Sequence, residues 1–374
     1  MGSFELDEIS THSFIWYNLC SYRDQDIKRL LEVEMTTELY PNDYFGGPDD
    51  IDPVKEAVKE RCWLIDEIIK PQLPNILDNV EKCLEMLRDD QVFKMPISSR
   101  SNDGGNGPSV KGVVTRQGRY LLDFKAIVKF PEFHKGKQVA LRMNTGTKFL
   151  LSQVQTIESN LSRILRLLEE LESVEEPEKF IQDMGKVLEL LISSINVLQN
   201  PPRKLSFPDN NNYPMKQMFQ DYRQICENSH YEISLEILLL KNELCIDFRN
   251  LEKVVKKPWC QVDRETGKSF SDRIKDKLTT NRSKNLESVL RENGVQIEEP
   301  TLINNLMMST FNTETTTLSQ AQNYLNRCVT FGGKVVIECD KLTMTTSDPF
   351  LISITTKLNA LESTVSNFYT NLKV

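Results

Sequence analysis

Glycines, histidines, cysteines and paired carboxylates are the residues of this chain whose spacing could carry chemistry, and none is arranged as a working site. The Gly104-Gly105-Asn106-Gly107 run has the glycine density of a phosphate loop. It lacks the Lys-Ser/Thr that would hold a triphosphate, and no strand is predicted before it, so it is assigned to a linker. His12, His134 and His230 stand far apart, outside any HExxH or Cys-His ligand spacing. Glu169-Glu170 and Glu175-Glu176 are acid pairs. They fall at a helix end and its loop, where solvated carboxylates are the expectation and no acid–base couple can be assigned. The eight cysteines, Cys20, Cys62, Cys83, Cys226, Cys245, Cys260, Cys328 and Cys339, contain no CxxC pair. Cys62, Cys83 and Cys245 lie on apolar stripes and fit small core residues of a reducing compartment. No GxSxG or kinase pattern is present. The prediction is a chain with no catalytic, cofactor or metal residues.

Composition supports an ordinary soluble balance. Of 374 residues 39% are apolar and 27% charged, and the net charge is −8. Such a chain exceeds one small core and fits two packed units. Nucleic acid is not an expected partner, because no clustered basic stretch appears; Lys253, Lys256 and Lys257 form the longest group. The acidic start, with Glu5, Asp7 and Glu8, does not resemble a secretory signal, and no apolar run is long enough to span a bilayer.

With no site visible, the information lies in the elements. Leu351, Ile354, Leu358, Leu361, Val365, Phe368 and Leu372 recur at alternating three- and four-residue steps. Leu150, Val154, Ile157, Leu161, Ile164, Leu168 and Leu171 do the same. Each set is a narrow helical seam. Burying one seam cannot offset the entropy of ordering a helix of that length, so each must pack on other helices. The seams could pair with another protein's coiled coil. Four such segments in one chain make an internal bundle the preferred reading.

The other bundle segments follow. Asp52 and Pro53 form a helix start, and a stripe then runs from Val54 and Val58 through Cys62, Ile65 and Ile69 to Leu87. Pro71 and Pro74 should kink or split this helix. A partner helix carries Phe180, Met184, Val187, Leu191, Ile195 and Leu198, and Pro201-Pro202 stops it. Ser98 to Ser109 is predicted to be a flexible linker. Periodicity of two marks strands at Gly112–Thr115, Tyr120–Phe130, Gln138–Asn144, Tyr231–Leu239, Leu244–Phe248 and Lys334–Cys339.

The expected organisation is an N-terminal arm at 1–50, bundle helices within 52–90, 147–200 and 348–373, and a β-domain from 110–146, 203–260 and 331–346. Residues 261–330 are expected to form a polar insertion, partly disordered. Trp16, Tyr17 and Trp259 fall in irregular or segment-end positions and are the candidate partner-binding residues.

Several segments, in order, resemble the Rogdi family. They include Val110-Lys-Gly-Val-Val-Thr115 with Gln117-Gly118, Lys129-Phe130-Pro131 and Phe149-Leu-Leu-Ser-Gln-Val-Gln155. Val187-Leu-Glu-Leu190, Pro202-Arg-Lys-Leu205, Phe207-Pro208, Met218-Phe219, Asn242-Glu-Leu-Cys-Ile246 and Asp348-Pro-Phe350 continue the series. The arm and the 261–330 insertion depart from the animal pattern, as expected of a fungal member.

The resemblance implies an α+β fold: an elongated antiparallel helical bundle built from N-terminal, middle and C-terminal helices, with a separate antiparallel β-domain. It also implies a non-enzymatic, smaller dedicated subunit of the RAVE complex, which joins the peripheral catalytic sector of the vacuolar proton-transporting ATPase to its membrane sector. The implied partners are the large WD-repeat RAVE subunit, a Skp1-like adaptor through the complex, and peripheral-sector subunits of the pump. Contact with the large subunit is expected from the arm and the exposed β-domain faces. The implied location is cytoplasmic, with reversible association to vacuolar and endosomal membranes. A coiled-coil tether of vesicle traffic and an enzyme with an unrecognised bundle–sheet crevice site are the alternatives.

Overall fold

A computed structural model describes residues 52–100, 107–226, 229–281, 283–298 and 315–373. The chain divides into two compact units, Met1–Glu60 and Arg61–Val374. Trp16 and Tyr17 lie outside the described residues.

Helix α1, Pro53–Trp63, starts as its sequence demands: Asp52 accepts the Val54 amide at 3.1 Å. The apolar stripe is buried only from Ile65 onward; Val54 and Val58 are exposed. Pro71 then disturbs the helix, because it cannot donate a backbone hydrogen bond and its ring crowds the turn before it. The backbone widens into a π-helical segment at Leu64–Ile69, where the Lys70 amide reaches back to Ile65, and tightens at Lys70–Gln72. Helix α2, Leu73–Arg88, resumes with Pro74 in its first turn.

Strands β1 (Val92–Arg100), β2 (Ser109–Gln117), β3 (Tyr120–Lys129), β4 (Val139–Arg142) and β5 (Phe149–Leu150) form the first sheet. Its order is β1-β2-β3-β4, with β5 on the end of β3, and all pairs are antiparallel. The predicted linker therefore contains strand: Ser98 to Arg100 end β1 and Ser109 opens β2. Gly112 is required here. A Cβ at that position would collide with the Lys125 carbonyl oxygen of β3.

Helices α3 (Ser152–Glu172) and α4 (Pro177–Gln199) are followed by the short α5 (Tyr213–Met218) and α6 (Tyr222–Cys226). Strands β6 (Tyr231–Leu240) and β7 (Glu243–Lys253) are joined at Lys241-Asn242, both left-handed, as a two-residue hairpin turn requires. Next come α7 (Phe270–Thr280), α8 (Leu286–Glu292), β8 (Ile297–Glu298), β9 (Thr316–Thr317) and α9 (Leu318–Arg327). Strands β10 (Cys328–Phe331) and β11 (Lys334–Ser347) precede α10 (Pro349–Leu372). The second sheet runs β10-β11-β7-β6, also antiparallel.

Helix α2 packs on α3, α3 on α4, α4 on α10, and α10 on α2. The seams meet inside this ring: Leu161, Ile164, Leu168, Leu358 and Val365 are all fully buried. They are satisfied within the chain.

One cluster of buried apolar residues extends from these helices into both sheets, so the β part shares the bundle's core and is not a separate body. Phe124 of β3 meets Phe248 of β7 edge-on at 6.1 Å, where the sheets face each other.

Within the predicted insertion, 282 and 299–314 lie outside the described residues, and the described ones carry ordered helices. Trp259, Phe270, Ile274, Val289, Leu290, Ala321 and Leu325 form a small core of their own. Capping boxes at Ser269/Asp272 and Thr317/Gln320 set the starts of α7 and α9.

Candidate functional site

The residues with chemical potential are dispersed. His134 Nε2 lies 2.9 Å from the Ile225 carbonyl oxygen, and His230 Nε2 lies 3.2 Å from Glu252. Glu169, Glu170, Glu175 and Glu176 are exposed. Burial pushes the Cys83, Cys245 and Cys328 thiols up to about 11, which leaves them protonated and weakly reactive at neutral pH. Among the described residues no group of three or more His, Cys, Asp and Glu could hold a metal ion.

Sequence reasoning missed a buried charge cluster on the second sheet. Alternation in β6 turns Ile233, Leu235, Ile237 and Leu239 into the shared core and Glu232, Ser234 and Glu236 to the other face. That face is also covered, since Glu232, Ser234 and Glu236 are all buried. Arg249 of β7 sits at its centre. Its Nη1 is 3.4 Å from Glu236, its Nη2 3.0 Å from Asp247 and its Nε 2.9 Å from Glu338. Lys341 reaches Asp247 at 2.8 Å. The Phe207 ring stacks 4.8 Å from the guanidinium carbon, and its backbone amide donates to Glu236.

Three carboxylates thus face two cations. Desolvation raises the Glu236 pKa above the usual carboxylate value, while the Arg249 charge pulls the other way. With its carboxylates held by ion pairs, the cluster fixes the register of β6, β7 and β11 and anchors Phe207.

Two amide side chains close the free edge of β6. Gln153 accepts the Leu239 amide at 2.8 Å and donates to the Leu239 carbonyl at 2.9 Å and the Val197 carbonyl at 2.7 Å. Asn212 accepts the Leu235 amide at 3.1 Å and donates to the Ile233 carbonyl at 3.0 Å. Asn212 also donates to the Tyr222 hydroxyl, which in turn donates to Glu232. Burial foremost, then the Glu232 carboxylate, raises the Tyr222 phenol well above its ordinary range. Such a covered edge cannot template another strand.

Of the candidate partner residues, Trp259 is fully buried, stacked on Tyr324 at 5.0 Å and edge-on to Phe270 at 5.3 Å. It presents no surface to a partner and holds the small core together.

The ion pairs around Arg249 and the buried seam residues Leu161 and Leu358 are internal to the chain. The sequence profile described as Rogdi leucine zipper containing protein matches residues 60–373. The chain belongs to that family. It is 51% identical over 342 residues to the "Regulator of V-ATPase in vacuolar membrane protein 2" of Saccharomyces cerevisiae, covering 90% of this chain and 97% of that protein. No described helix is long and apolar enough to cross a membrane.

Proposed function

We propose that this protein is a non-enzymatic subunit of a RAVE-type complex that promotes assembly of the vacuolar proton-transporting ATPase. The observation that carries the reading is its near end-to-end identity to the yeast V-ATPase regulator, 51% over 90% of the chain. In this role it helps the detached peripheral catalytic sector rejoin the membrane sector, most sharply when glucose returns after withdrawal. Its partners are a large WD-repeat subunit, a Skp1-like adaptor through the complex, and peripheral-sector subunits of the pump. The N-terminal arm, with Trp16 and Tyr17, supplies a contact to the large subunit. The chain is cytoplasmic and associates reversibly with vacuolar and endosomal membranes.

The physical features fit an assembly factor. A tether working through its zipper needs an exposed seam, whereas Leu161 and Leu358 are fully buried within this chain.

Affinity purification of the tagged full chain from its own cells tests the reading. A propeller-bearing large protein and peripheral pump subunits are expected to co-purify, and deletion of 1–50 should weaken the large partner's recovery. Recovery of neither the propeller protein nor any pump subunit would overturn the assignment.

A further inference from the structure

The open face of the first sheet carries charge opposite to that of the chain. Outward positions on β1–β4 hold Lys94, Lys111, Lys125, Lys129 and Arg142, against one carboxylate, Asp123. The whole chain has 54 acidic and 46 basic residues, so five cations to one anion among the described side chains of this face is a local inversion. Only Lys125 is paired, to Asp123 at 2.6 Å. Lys94, Lys111, Lys129 and Arg142 have no ion-pair or hydrogen-bond partner among the described residues.

Register adds to the strain of this arrangement. Lys125 stands directly opposite Arg142, a like-charge juxtaposition that the Asp123 carboxylate answers on the Lys125 side alone. Between the cations sit Val113 and Ile127, 43% and 50% exposed. A shallow cavity of about 430 Å³ opens at one end of the face. Ser98, Ser99, Ser109, Lys111, Lys129 and Ile127 line it together with Val110 and Gln138, an assembly of hydroxyls, ammonium groups, one amide and two apolar residues.

We propose that this face docks on an anionic phospholipid surface, with a phosphorylated headgroup in the Lys111/Lys129 cavity and Val113 and Ile127 against the interfacial layer. Shape selects this occupant. The cations are spread over all four strands, roughly 15 Å across at ~4.8 Å per strand. A linear acidic segment would follow one row, whereas a bilayer meets the array in two dimensions. Lysines near such a surface attract anionic lipid, each strengthening binding roughly fivefold. The inference deepens the proposed function, resting on its reversible membrane association. It can fail while pump assembly persists, because the test contains no pump.

The test is flotation of the purified full chain with vesicles of phosphatidylcholine alone or with about 30% phosphatidylserine, at low and high salt. Binding is expected only to the anionic vesicles and should fall as salt rises. The double variant Lys111→Gln/Lys129→Gln should bind roughly 30-fold more weakly. Lys94→Gln/Arg142→Gln, on the same face, should weaken binding to a similar degree, with circular dichroism unchanged for both. Lys268→Gln, a paired and exposed cation outside this face, should bind as wild type. Equal binding to neutral vesicles, or undiminished binding by both double variants, would overturn the proposal. So would failure to bind vesicles while polyglutamate or inositol hexakisphosphate binds in a Lys111-dependent way, which would give the face to an acidic protein or a soluble anion.

Discussion

Arg116 and Asp348, 232 positions apart, form an ion pair with both side chains essentially out of solvent. Asp348 also caps α10, accepting the Phe350 amide at 2.9 Å and the Leu351 amide at 3.3 Å. One carboxylate therefore starts the C-terminal helix and fastens it to β2. Removing it strands a buried guanidinium, at a cost of about 3–5 kcal/mol, with about 1 kcal/mol more for the cap. Asp348→Ala should lower the urea midpoint severely. Arg116→Met/Asp348→Ser, which removes the charge and keeps a capping hydroxyl, should lose much less. A double variant as unstable as Asp348→Ala would show that the pair is not the source of the effect.

The seams predict a symmetric sensitivity at sites almost 200 residues apart. Leu161 and Leu358 are both fully buried in the shared core. Truncation of either to alanine should cost about 2–5 kcal/mol. Aspartate at either place should abolish cooperative unfolding, because the charge has no partner. Thermal melts followed by circular dichroism decide this.

Glu236 gives a pH dependence whose sign follows from burial. Its folded pKa lies above the unfolded value, so the folded state holds the proton longer. Its contribution to stability is therefore largest below the unfolded pKa and declines as pH rises through the window up to the raised folded pKa. Glu236→Gln should remove that decline while retaining an acceptor for the Phe207 amide. The measurement is the difference between wild-type and variant melting temperatures across pH. It should shift in the variant's favour as pH rises through the window; a flat difference would contradict the desolvation argument.

The small core around Trp259 is a cluster distinct from the main one. Replacing 263–326 with a short Gly/Ser linker should leave the main melting transition within about 1–2 kcal/mol, since loop length alone contributes little. Trp259→Ala should melt α7–α9 and leave the bundle transition in place. Loss of the main transition in either variant would show that the two cores depend on each other.

The seams were legible because spacing and burial coincide along one helix, from Val154 to Leu171 and from Leu351 to Leu372. Asp52 was legible as a cap, since an Asp-Pro start acts within a few residues, and Asp348-Pro349 is the same pair. Strand β1 was hidden by Pro96 and the serines after it. The structure accommodates that proline because β1 is an edge strand. The Arg249 cluster depends on register among β6, β7 and β11, and no local pattern announces contacts between residues about 100 positions apart. The 261–330 segment has few apolar residues, and its one local signal, the capping boxes, is weak without knowledge that Trp259 gathers them. Trp259 itself illustrates the limit: an aromatic at a segment end reads the same whether it anchors a partner or a satellite core.

A role in assembly is measured by the amount of peripheral catalytic sector recovered on vacuolar membranes after glucose is withdrawn and restored. The measurement should be made in cells with and without this protein. Without the protein, both sectors are expected at normal levels, the peripheral sector is expected to stay in the cytosol, and vacuolar acidification is expected to fail. Normal recovery of the peripheral sector on the membrane, with normal acidification, would contradict that role.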